Sequence, residues 1–328
     1  MKKKITLILC FLSFTTVFAQ EIPVRNIFTR QGFGYYDQNE RKIIHQDMPY
    51  DVELYSPNFQ RDMMAGEETI WAKNISSGYI TLVVIFERFL GVMSTEPLPF
   101  VRAFGPGPRR LLTLKPTSTA QPDYNYVMYY CYGYANPEVK EIDYALPFNN
   151  LSNIKAVDTK YVAQKEYSDK ESEFYGTNFI VPEGSEIIAS RGGLVVFVED
   201  QIAAGAGENR ISIIHPDGTV GNYLGLAKGS AKVKVGDEIL MGAPLASAQT
   251  NDNDGIQLMF SLSYLKVQAD LNKDISQWSS KVYFKPAFHA KENTEVLTSG
   301  NVYSSYLDDE MITQDMSRKD KKAFLKNK

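Results

Sequence analysis

Val233-Lys-Val-Gly-Asp-Glu-Ile239, which follows Ile211-Ser-Ile-Ile-His-Pro-Asp-Gly-Thr219 and precedes Gln257-Leu-Met-Phe-Ser-Leu262, decides how this chain folds. Apolar and polar residues alternate on either side of a glycine turn, the pattern of a half-buried strand. Asp217-Gly218 suits a tight hairpin, because glycine tolerates a positive φ at the second central position. Upstream, Pro182-Glu-Gly184 and Gly192-Gly193 punctuate further short apolar runs. Closely spaced strands with a turn signal between each pair predict an all-β unit from Lys160 onward.

The residues before it also read as strands, in a different rhythm. Tyr79 to Phe86 is a continuous apolar run of buried-strand type, and Leu111 to Leu114 is another that stops before Pro116. From Tyr124 to Tyr134 every second residue is Tyr or Met, which lines one face of a strand. Tyr126, Tyr130 and Tyr132 are therefore a candidate aromatic surface for stacking on sugar or peptide. The competing reading is one packed face of a sandwich, where tyrosine buries its ring and keeps its hydroxyl wet. Residues 20–150 are expected to form an immunoglobulin-like β-sandwich, ended by Pro147, Asn149 and Asn150. Thr313 to Lys328, mixed in charge and rich in lysine, reads as a fraying helix or solvated tail.

Lys2 to Lys4 followed by the apolar run Ile5 to Phe18 predicts an export signal over residues 1–19, with Val17 and Ala19 as the small residues before the cleavage point. Cys10 follows Leu9 inside that run, which argues against a lipid-modified cysteine. No later run is long and apolar enough for a membrane-spanning helix. The whole chain of 328 residues carries a net charge of −4, and loss of three lysines with the leader makes it about −7. That balance disfavours nucleic acid as a partner. Leader removal also leaves Cys131 alone, which excludes an internal disulfide and a thiolate zinc cluster. Export without disulfides fits a bacterial envelope compartment, periplasmic or extracellular.

In order and spacing, residues from about 160 to 265 resemble the lysostaphin or LytM type of zinc endopeptidase, metallopeptidase family twenty-three, whose fold is a duplicated hybrid motif. The resemblance implies a LytM-like β-domain over residues 155–290, a C-terminal extension over 291–328, and the two-domain arrangement found in Bacteroidetes relatives. Such domains cleave peptidoglycan cross-bridges. Their chemistry needs a His and an Asp in His-x-x-x-Asp, plus the last His of a late His-x-His, to hold zinc. Zinc brings the pKa of bound water from about 15.7 towards 7 and makes hydroxide available at neutral pH.

Carried over residue by residue, the Asp ligand falls on Asn178 and the preceding His on Phe174, or on Asp169 in the longer spacing. The family's Tyr-x-His-Leu is Tyr223-Leu-Gly225-Leu, and its His-Leu-His-Phe is Gln257-Leu-Met259-Phe. Amide oxygens bind zinc weakly, a thioether is too soft, and Phe and Gly offer no donor. The expectation is a pseudoenzyme: catalytic and metal-ligating residues none, cofactors none, and a vestigial groove lined by Asp169, Phe174, Asn178, Tyr223, Gly225, Gln257 and Met259.

The chain's three histidines, His45, His215 and His289, read as surface or turn residues. Asp252 and Asp254 lack the downstream glutamate of a calcium loop and read as a polar turn. The resemblance implies a non-catalytic envelope protein that binds a peptidoglycan peptide or a partner protein and regulates a cell-wall hydrolase. Two alternatives stand beside it. One is a structural adaptor that docks through its tyrosine-rich first domain. The other is an active endopeptidase with an unconventional site such as Asp169 and His289.

Overall fold

A computed structural model describes residues 33–37, 42–44, 52–55, 67–74, 78–117, 122–163, 172–182, 184–203, 206–249, 258–270, 272, 278–291 and 293–326. The export signal, His45, Asp169, Asp252, Asp254 and Gln257 lie outside them. Strand is by far the main regular structure of the described chain, with helix only near its C-terminal end, as the turn spacing predicts.

Two sheets make up the first half. One runs in the order Lys42–Ile44, Phe33–Asp37, Asp123–Tyr132, Ile80–Leu90 and Phe100–Phe104; the other runs Val52–Tyr55, Glu68–Asn74, Gly107–Pro116 and Val92–Ser94. Ile70, Leu111, Leu112 and Leu114 from one sheet share a core with Ile80, Leu82, Val84, Phe100 and Phe104 from the other. Tyr126 belongs to that core at 4% exposure, so it is not part of an aromatic surface. Tyr130 and Tyr132 lie on the same strand, and their side chains are not described.

The buried part of the Ile80–Leu90 strand, residues 80–85, explains its own run, apolar except for Thr81. Side chains alternate across a strand, so a strand buried on both faces needs apolar residues at every position. Ile80, Leu82 and Val84 enter the sandwich core, while Val83 and Ile85 pack against Leu265, Val267 and Trp278 of the second half.

The second half is built on a large antiparallel sheet. Its order is Glu238–Ile239, Gly193–Glu199, Arg210–Ile214, Val220–Leu224, Leu258–Val267, Ser172–Ile180, Ile154–Ala163 and Val302–Tyr303, with Ser279–Phe284 also paired to Leu258–Val267. One face carries the main core, where Phe179, Tyr223, Phe260 and Phe288 are each no more than 1% exposed. Their rings meet edge-on or tilted, with centroids 5.0 Å apart for Tyr223–Phe260 and 5.9 Å for Phe179–Phe288, as aromatic quadrupoles prefer. Tyr144, Leu146 and Phe148 pack in this second core, although they precede the boundary expected at residue 150.

Two glycines are dictated by space. Gly218 turns the Arg210–Ile214/Val220–Leu224 hairpin at φ 89°. At Gly193 a Cβ would lie 2.2 Å from the Ile214 carbonyl oxygen, so no larger residue fits where the chain enters the sheet.

The C-terminus is anchored before it becomes helical and exposed. Asp308 caps the short helix Asp309–Ile312 by accepting a 2.9 Å bond from the Met311 N–H. Thr313 is 1% exposed and Asp315 bonds into the body of the protein, so this part of the expected tail is structural. Only the last helix, Arg318–Lys326, has no buried residue.

Candidate functional site

Strand register sorts the expected groove residues onto two opposite faces. Asn178 stands directly opposite Met259, Met259 opposite Leu224, and Leu224 opposite Arg210. One residue along, Thr177, Phe260, Tyr223 and Ile211 form the next row. Adjacent rows of a sheet point to opposite sides. The second row faces the core; the first faces the other way, and Phe174 shares its side because it lies four residues before Asn178.

The structure thus pairs Asn178 with Met259, sets Phe174 further along the same side of its strand, and separates Tyr223 from them. Tyr223 is fully buried, and its hydroxyl accepts a 2.7 Å bond from the Ser190 N–H. Burial pushes its phenol well above the usual range. It is a core residue, and its place in the expected groove is corrected accordingly. Gly225 sits at φ 85°, a backbone conformation that residues with a Cβ rarely adopt. Its N–H donates to the Asn209 carbonyl at 3.2 Å and its own carbonyl accepts from Gln249 at 2.9 Å. The position where relatives carry a histidine is used here for a turn.

What covers the polar face can be read strand by strand. Asn178 donates its amide N–H to the Thr159 hydroxyl across the neighbouring strand. Ser212 donates to the Asn222 side-chain oxygen at 2.8 Å, and Ser261 lies opposite Asn222 in register. Ser263 follows two residues on, fully buried. A row of buried hydroxyls and amides on one face of a sheet is costly unless paired. It is the signature that a sequence read for metal ligands passes over. Phe174 lies against its own strand, since a Cβ at Gly176 would be 3.0 Å from its ring, and it meets Tyr283 with centroids 4.8 Å apart.

Two cations border this face, and neither stands out in the sequence. The Arg210 guanidinium sits 4.2 Å from the centre of the Phe197 ring, and the Lys281 ammonium sits 5.2 Å from the centre of the Tyr283 ring. Burial, with Arg210's charge as the second cause, pulls the Lys281 ammonium down to about 7. Burial also lowers Arg210, with Tyr283 acting weakly the other way.

The histidines lie elsewhere. His215 is 2% exposed and so is not a surface residue; its Nδ1 lies 2.9 Å from the Gly192 carbonyl oxygen. A carbonyl only accepts, so Nδ1 carries the proton in the neutral ring. Burial first, then the Arg191 charge, depress its pKa to about 4. His289 bonds to Thr294 through Nδ1 at 2.6 Å and leans on Tyr306. Beside His215, Arg191 binds Asp217 at 2.8 Å, Asp315 at 2.7 Å and 3.1 Å, and the Tyr144 hydroxyl at 3.1 Å. Burial opposes that guanidinium's charge, and these partners outweigh it, so its pKa rises.

Residues 172–271 match the family model Peptidase family M23 and form a domain of that family. Among solved structures, the SpoIIQ–SpoIIIAH pore-forming complex is similar at 20% identity over 38% of this chain and 85% of that one, with a TM-score of 0.29. Lysostaphin is similar at 18% identity over 38% of this chain and 51% of that one, with a TM-score of 0.25. A zinc-containing peptidase from Vibrio cholerae is similar at 12% identity over 70% and 81%, with a TM-score of 0.28. No curated protein matches the chain.

The family implies zinc, and the donor set here does not fit it. Asn178 commits its amide to Thr159, Met259 supplies a thioether and Phe174 a hydrocarbon ring. Among the described residues, no three of His, Cys, Asp or Glu come together. Nor, among them, is any helix long and apolar enough to cross a membrane.

Proposed function

We propose that this chain is a non-catalytic M23 relative of the bacterial cell envelope, whose former catalytic face binds peptidoglycan peptides or an envelope protein and thereby regulates a cell-wall hydrolase. The observation that carries this reading is the pairing of Asn178 with Met259 across adjacent strands. Ancestral ligand positions still meet on one face, but they hold an amide, a thioether and, at Phe174, a ring. Without a bound ion no hydroxide is generated to attack an amide bond. The face retains polar side chains that orient a ligand, and it lies on strands, which hold such groups more rigidly than loops do. Burial of Tyr126 weighs against the adaptor alternative in which the tyrosine-rich strand docks a partner.

The test uses the exported full chain. Metal analysis is expected to find no stoichiometric zinc, and incubation with peptidoglycan is expected to release no muropeptides. Retention on isolated sacculi, or capture of a defined envelope hydrolase, is the positive outcome. Stoichiometric zinc with chelator-sensitive cross-bridge cleavage overturns the reading, and so does a protein that binds neither sacculi nor any envelope hydrolase.

A further inference from the structure

We propose that the cavity bordered by the two halves of the chain and the C-terminal segment binds a peptide lysine, an ammonium carried on an aliphatic stem. The cavity lies apart from the Asn178 face, with three strands between the Gly193–Glu199 strand that lines it and the Ser172–Ile180 strand. It does not depend on the function proposed above.

The cavity holds about 670 Å³, within the roughly 300–1,000 Å³ of ordinary ligand sites. Its walls come from distant parts of the sequence, and each is pinned. Gly192 lets the chain close on its neighbour, since a Cβ there would lie 2.9 Å from the Ile239 carbonyl oxygen. The turn over residues 240–243 is tied down by the Gly242 N–H, which donates to the Ala189 carbonyl at 2.8 Å. The segment over residues 311–316 is held by the Gln314 amide, which donates to the Asp143 carbonyl at 2.8 Å, and by the two bonds from Arg191 to Asp315. Tyr79, from the first half, is set edge-on against Tyr134 with centroids 5.1 Å apart and completes the lining. Walls fixed in this way form the site before a ligand arrives.

The charge of the cavity is negative. Asp217 and Asp315 share the one guanidinium of Arg191, and Tyr144 and His215 beside it are uncharged at neutral pH. The group therefore keeps one negative charge in excess. The side chains of Arg191 and Asp217 are at 0% exposure, whereas Asp315 is at 15% and lines the cavity. Glu238, which is exposed, adds a second carboxylate to the lining. Among the described residues no lysine or arginine lines it. Leu240, Met241, Met311, Ile312 and Met316 make the lining largely apolar. A carboxylate beside thioethers, aliphatic groups and an aromatic ring suits a cation carried on an apolar stem.

Asp315 also selects the cation. Both of its oxygens already accept from Arg191, at 2.7 Å and 3.1 Å. The two-pronged pairing is taken, so a second guanidinium cannot dock side by side, while each oxygen keeps a lone pair for a single donor. An ammonium is a compact point charge that needs no fork, and it fits what remains.

The experiment follows the methyl resonances of Met241, Met311, Met316 and Met259 in the full exported chain, each assigned by exchange of that methionine for leucine, while blocked tripeptides are titrated in. N-acetyl-Leu-Lys-Leu-amide is expected to shift the first three saturably and to leave Met259, on the other face, unmoved. The twins with acetyl-lysine or norleucine in place of lysine carry no charge and are expected to bind about tenfold more weakly. The arginine twin is expected to bind more weakly than the lysine peptide. Leu240 lines the cavity at 44% exposure, so Leu240→Lys sets a competing cation there without touching the core. It is expected to lower the affinity about tenfold. The proposal is overturned if the three methyls stay still, if Met259 moves as much as they do, or if charged and uncharged twins bind alike. Binding of the arginine peptide as tight as that of the lysine peptide, or an affinity that survives Leu240→Lys, overturns it as well.

Discussion

Arg191 precedes the strand Gly193–Glu199, Arg210 opens its neighbour Arg210–Ile214, and the chain treats their charges in opposite ways. Arg191, with a side chain at 0% exposure, is held by two carboxylates and a tyrosine hydroxyl. Those partners come from the Asp217 hairpin turn, the Asp315 segment near the C-terminus and the Tyr144 segment that leads into the domain, so one guanidinium ties three distant pieces of chain together. Arg210 has the Phe197 ring beneath it and, among the described residues, no hydrogen-bond partner for its Nε. A charge closed within the chain serves architecture.

The sharpest way to break this contrast is Arg191→Met. It would leave Asp217 buried without its cation, and removal of one partner from a buried pair costs about 3–5 kcal/mol. Denaturant unfolding should show a loss of that size. A loss below about 1 kcal/mol would mean that the Asp217–Arg191–Asp315 cluster holds nothing together.

Next in size is the acid response of His215, which shares Arg191's surroundings. Its folded pKa is about 4 against an ordinary 6.5. The unfolded chain therefore takes up the proton first as pH falls, so the stabilisation is fully present above 6.5 and is lost on the way down to about 4. At about 1.4 kcal/mol per unit, the loss is about 3 kcal/mol. Equilibrium unfolding across that window should show it, and His215→Gln should flatten the profile. In the Arg191→Met background the slope should shrink, because the Arg191 charge is the second cause of the depression.

The smallest effect belongs to Arg210→Met. Among the described residues no carboxylate loses a partner, so stability should change by less than about 1 kcal/mol or rise slightly. Lys281, relieved of a neighbouring charge, should titrate higher in side-chain NMR. A destabilisation as large as that of Arg191→Met would erase the distinction between the two arginines.

Much of the fold was legible in short stretches. Asp217-Gly218 announces its hairpin because a positive φ is a local demand, and the largely apolar run over residues 80–85 announces a stretch of strand covered on both sides. Asn178 and Met259, which the resemblance reads as replaced ligand positions, stand opposite each other in register. Tyr223 was misread because it stands beside the ligand positions in the chain, while the pleat turns it to the opposite face from Met259. His215 does sit at its turn, as read, but it is not at the surface: Tyr144 packs against its ring and Gly221 leaves room for its Nε2. Arg210 and Lys281 belong to no motif, and 71 positions of chain separate their numbers.

By itself, then, the order of residues determined the strand-rich class, the turn positions and the family of residues 172–271. These depend on backbone preferences carried by each residue or its near neighbours. Which side of a strand is core, which histidine is enclosed, which arginine is neutralised and which is not were decided only when distant strands paired. Burial and charge compensation are properties of neighbours in space, and strand register chooses those neighbours.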